Sequence, residues 1–74
     1  MWEQGIITVK GKDLSYCIQY FKEPSEFGIN GGRISKLEVC DKGKTLIHYT
    51  RGWDIRPTTK LAKYALDSFI DNFN

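Results

Sequence analysis

The hydrophobic period of this chain changes once, at Pro57, and that change sets what it is able to fold into. Ahead of it lie short β-rich runs, "GIITVK", "LSYCIQYFK", "RISKLEVC" and "KTLIHYTR". Behind it Leu61, Ala62, Ala65, Leu66, Phe69, Ile70 and Phe73 recur at three- and four-residue intervals, the spacing that lines one face of an α-helix. Pro57 forces an extended entry, and Thr58 or Thr59 offers an N-cap hydroxyl. The expected class is α+β: a four-stranded antiparallel β-meander followed by one C-terminal helix packed on one face, β-β-β-β-α, in a single domain over residues 1–74.

The turns refine this frame. "KGKD" places Gly11 before Lys12, which suits the first central position of a type II′ turn and sets Val9 opposite Leu14 and Ile7 opposite Tyr16. The second hairpin turns around Asp41 to Lys44, with Gly43 in the left-handed region of a bulged turn. Between the hairpins, Pro24 ends a strand, and Gly28, Asn30, Gly31 and Gly32 permit positive φ in a reversing loop. Arg33 and Asp54 fall at neighbouring strand ends, where an ion pair would pin that loop.

Strand parity then sorts the side chains, because a slip of one residue exchanges the faces. Ile7, Val9, Leu14, Tyr16, Ile18, Leu37, Val39, Leu46 and His48 are expected beneath the helix. The opposite face is expected to carry Ile6, Phe21, Ile34, Ile47, Tyr49 and Trp53. So apolar a surface exceeds the few hundred Å² that a monomer usually leaves to water. It predicts a cover: a second copy of the chain, giving a homodimer, or a partner protein, or stacked nucleobases.

With 74 residues the core is thin, and ten aromatic rings supply much of its burial. The net charge of +2 is too small to announce nucleic acid by itself, but residues 33–63 hold a local excess of +5. Within that stretch Lys36, Arg51, Arg56, Lys60 and Lys63 are the candidate anion or nucleic-acid contacts. Arg51, Arg56, Lys60 and Lys63 are expected near one end of the sheet, beside the N–H groups of the helix start. Trp53 would stack on a base there or, more in keeping with its position after a strand, plug the open end of the core.

Catalysis needs a nucleophile, a base and a charge stabiliser that converge. The one histidine, His48, is expected in the core, and the carboxylate pairs Glu23/Glu26 and Asp67/Asp71 read as solvated. "GINGGR" leads into a strand and lacks the Gly-Lys-Ser/Thr ending of a phosphate-binding loop. Cys17 and Cys40 have no second pair to form a zinc site. No leader precedes the first strand and no apolar run reaches membrane-spanning length, so the expected setting is cytoplasmic. One register opposes the two cysteines, but a reducing compartment favours free thiols. The expectation is a non-enzymatic module without metal, cofactor or membrane.

Phe27-Gly28-Ile29, Gly32-Arg33-Ile34-Ser35-Lys36-Leu37 and Arg51-Gly52-Trp53-Asp54 resemble a group of small uncharacterised proteins of Gram-positive bacteria and their prophages. The resemblance covers most of the sheet and implies a source and a domain boundary, with no activity attached. By element order alone the chain is also similar to PC4-like single-strand DNA-binding coactivators, which dimerise and use curved sheets. No binding residues carry over from that likeness.

Overall fold

Lys10 and Gly11 both take positive φ (50° and 78°), so the first hairpin turns through a type I′ geometry instead of the expected II′. The computed structural model describes all 74 residues. It forms β1 (Trp2–Val9), β2 (Lys12–Tyr20), β3 (Ile34–Asp41), β4 (Lys44–Thr50), β5 (Trp53–Ile55) and α1 (Lys60–Phe73). The strands form one antiparallel sheet in the order β1-β2-β3-β4-β5. The four-stranded expectation is therefore corrected to five, while the α+β class stands. After β4 the Arg51–Gly52 turn doubles the chain back, with the Thr50 N–H donating to the Gly52 carbonyl at 2.9 Å, and Trp53 pairs with Tyr49.

The I′ turn sets Ile7 opposite Leu14 and Val9 opposite Lys12. That register lies two residues from the expected one, so the faces of β1 and β2 are unchanged. The second hairpin also turns through two residues, Lys42 and Gly43, at φ 50° and 84°. Its bulge lies inside the strands. Val39 pairs with Ile47 while Cys40 pairs with Thr45, leaving Leu46 as the extra residue. A similar shift between β2 and β3 leaves Ser35 unpaired, with Gln19 opposite Lys36 and Tyr20 opposite Ile34.

Each bulge exchanges the faces beyond it. Ile34 and Ile47 are 0% exposed and Tyr49 6%, so these three belong to the core and not to an open interaction face. Leu46 is half-buried, and His48 points to the uncovered side. Trp53 is half-buried with its ring 5.0 Å from that of Tyr49, which matches the plug expected of it. Phe21 is half-buried, and Ile6 alone of the six stays fully exposed.

On α1 the Thr59 hydroxyl accepts the Ala62 N–H at 3.1 Å, satisfying one orphan donor of the first turn. The helix buries Ala62, Ala65 and Phe69. Phe69 meets Tyr16 edge-on at 5.0 Å, and Phe73 lies 5.0 Å from Tyr20. The helix carries no acid in its first turn and no base in its last, so its dipole is uncompensated and packing holds it.

Two glycines of the loop are there for close approach. A Cβ on Gly28 would collide with the Gly32 carbonyl oxygen, and one on Gly32 with the side chain of Asn74. The loop is anchored by Ile29, 1% exposed, and by the Tyr49 hydroxyl, which donates to the Phe27 carbonyl at 2.9 Å. Arg33 does not pair with Asp54. Its Nε donates to the Phe21 carbonyl at 3.0 Å, and its guanidinium lies 5.3 Å from the Tyr20 ring.

Candidate functional site: the uncovered face and the β1 edge

The side of the sheet opposite α1 presents cross-strand rows. Trp2, Gln19, Lys36 and Thr50 form one, and Gln4, Cys17, Glu38 and His48 the next. A shallow depression of about 210 Å³ lies over them. With Ile34, Ile47 and Tyr49 turned into the core, this surface is mainly polar, and its large exposed apolar groups are Trp2 (56%), Ile6 (66%) and, opposite His48, Ile55 (43%). Face-to-face apolar packing loses its basis.

His48 stands between two carboxylates, its Nδ1 3.1 Å from Asp54 and its Nε2 4.0 Å from Glu38. Exposed pairs of this kind contribute about 0–1 kcal/mol. Cys17 lies beyond Glu38, two strands from His48, a separation of roughly 10 Å at sheet spacing, so the thiol has no imidazole to activate it. No group of three His, Cys, Asp or Glu side chains is arranged to hold a metal ion. Cys17 faces Glu38 and Cys40 faces Ser15, which removes the register that opposed them. Both thiols are free.

The five basic candidates separate. Lys36 lies on the uncovered face in the row of Trp2, and Arg51 sits at the same end, its N–H donating to the Ser35 carbonyl at 3.0 Å. Neither is ion-paired, and Arg51 holds a positive φ of 56°. Arg56 covers the Trp53 ring at 5.6 Å. Lys60 and Lys63 open α1 at the other end of the sheet, where Lys10 lies 4.3 Å from the Tyr64 ring. The structure thus brings Lys36 and Arg51 together with Trp2, and parts them from Lys60 and Lys63.

The feature sequence reasoning missed is the outer edge of β1. Met1 and Tyr20 exchange both main-chain bonds, at 2.8 and 2.9 Å. In a ladder of unbroken register the odd residues of β1 therefore bond to β2. Trp2, Gln4, Ile6 and Thr8 aim their N–H and C=O groups away from the sheet. This edge has no proline, no bulge and one charged residue, Glu3.

Beside the edge, on the helix side, Gly5 faces Tyr16, whose ring lies over it, 3.4–3.6 Å from where a Cβ would stand. A cleft of about 240 Å³ opens there, bordered by Glu3, Ile7, Tyr16, Phe69 and Phe73. The Tyr16 hydroxyl donates to Glu3 at 3.2 Å. Burial, then the Glu3 charge and the hydrogen bond to it, push the Tyr16 phenol above its ordinary value of 10.0. The one sequence signal for this place is a glycine inside a strand, which often marks a close approach of another group.

No helix is long and apolar enough to cross a membrane. No curated protein matches the chain. No solved structure matches it. Over residues 1–74 the chain matches the family described as a domain of unknown function (DUF7678), and it belongs to that family.

Proposed function

We propose that this domain is a non-enzymatic interaction module that works as a homodimer, joined through the outer edge of β1 and not through the sheet face. One observation carries the reading: an eight-residue edge strand turns a full row of backbone donors and acceptors to solvent. Native edges are ordinarily blunted by lysines, proline, bulges or a covering element. An unblunted edge is a site for strand addition. The resemblance to small prophage proteins accords with an adaptor or regulatory role in the cytoplasm. Light scattering coupled to size exclusion tests the reading, with a dimer expected at micromolar concentration. A monomer across the accessible concentration range would sink it.

A second reading, single-stranded nucleic-acid binding, is favoured by the grouping of the exposed Trp2 with the unpaired cations Lys36 and Arg51. A base would stack on Trp2 while the cations meet flanking phosphates. Two such contacts predict a log–log salt slope of about −1.4 on single strands. Titration with a mixed-sequence oligonucleotide at low salt decides it, and no binding there removes the reading.

A further inference from the structure

Resting on the homodimer reading above, we infer that two copies of β1 pair antiparallel about Ile6, so that the partner's Ile7 lies opposite Gly5 and enters the cleft beside Tyr16. The outward groups belong to the even residues, so a new ladder has to join even residue to even residue. Centring the two-fold axis on Ile6 sets Gln4 against the partner's Thr8 and Ile6 against the partner's Ile6. Each such pair exchanges two main-chain bonds.

Residues directly opposite in an antiparallel ladder share a face. On the uncovered side the Ile6 side chains, now 66% exposed, meet at the axis. On the helix side Gly5 lies opposite the partner's Ile7, in a pair of the closer kind with Cα atoms about 4.5 Å apart. That isoleucine enters the cleft beside Tyr16 and Phe69, and symmetry repeats the contact. Glu3 then faces the partner's Val9, so no like charges oppose each other. Centring the axis on Gly5 instead sets glycine against glycine and Ile7 against the partner's Glu3. The Ile6 register therefore uses what the edge offers: paired backbone, buried isoleucines and a filled cleft.

Two variants test the register in the full chain. With Cys17→Ser and Cys40→Ser in place, Ile6→Cys puts two thiols across the axis, at the roughly 5.5 Å Cα spacing of a hydrogen-bonded pair, which a disulfide spans. Mild oxidation is expected to convert most of the protein to a covalent dimer. Gln4→Pro removes an outward N–H and no bond to β2; a folded protein with unchanged circular dichroism and a dimer Kd raised at least tenfold is expected. If Gln4→Pro weakens the native dimer but Ile6→Cys does not crosslink, the register is overturned while the β1-edge homodimer stands; if Gln4→Pro leaves the dimer intact, the register and the β1-edge reading both fall. A monomeric native chain overturns both.

Discussion

The side-chain carbonyl of Asn74 accepts the backbone N–H of Arg33 at 3.0 Å. It also accepts that of Ile34 at 3.3 Å, and its amide donates to the Ile29 carbonyl at 3.1 Å. One amide thus ties the glycine loop to the start of β3. Asn74→Ala is expected to cost about 1–3 kcal/mol, because three backbone groups lose their partner. For a domain of this size that lowers Tm by about 4–8 °C per kcal/mol. Gly32→Ala, which strikes the same amide, is expected to fall at least as far. Thermal melts of both variants check this.

The bulge at Leu46 makes a paired prediction. Ile47 is fully buried, so Ile47→Ala is expected to cost about 2–5 kcal/mol by lost burial and a residual cavity. Its neighbour Leu46 is only half-buried, and Leu46→Ala is expected to cost less than half as much. Urea denaturation of the two variants ranks them. The reverse order would return Leu46 to the core and remove the bulge.

Tyr16 gives the stability a dependence on alkaline pH. The folded protein holds the phenol proton more tightly than the unfolded chain, through burial first and the Glu3 charge second. The stabilising contribution is complete below the unfolded value near 10 and is lost as pH rises through the folded value. Native protein minus Tyr16→Phe is therefore expected to show a stability difference that shrinks above about pH 10. Glu3→Gln is expected to shrink that decline and to end it at lower pH, its onset staying near the unfolded value. A pH-independent difference would refute the assignment.

The charges of α1 oppose its dipole, with Lys60 and Lys63 near the start and Asp67 and Asp71 toward the end. Lys60→Glu is expected to stabilise the fold by about 0.3–1 kcal/mol at low ionic strength, and less in high salt. Melts at two salt concentrations measure it. No gain at low salt would mean that Lys60 serves a contact the isolated chain does not make.

By itself the sequence determined what depends on local spacing. The β-rich runs, the glycine turns, the break at Pro57, a cap at Thr58 or Thr59 and the stripe through Ala62, Ala65 and Phe69 all follow from residues within a turn or a strand of one another. The tertiary structure decided what depends on several strands at once. Ser35 and Leu46 are ordinary strand residues by composition, yet each is extruded as a bulge so that Ile34, Ile47 and Tyr49 reach the helix side. Burying such a side chain contributes about 1.5–3 kcal/mol, more than the roughly 0.5–1.5 kcal/mol of a ladder hydrogen bond given up at a bulge. That comparison exists only once both sheet faces and the helix are in place. The same holds at the edge: a glycine inside a strand signals a close approach, but only the paired strands show that the Tyr16 ring makes it, beside a cleft that Phe69 borders.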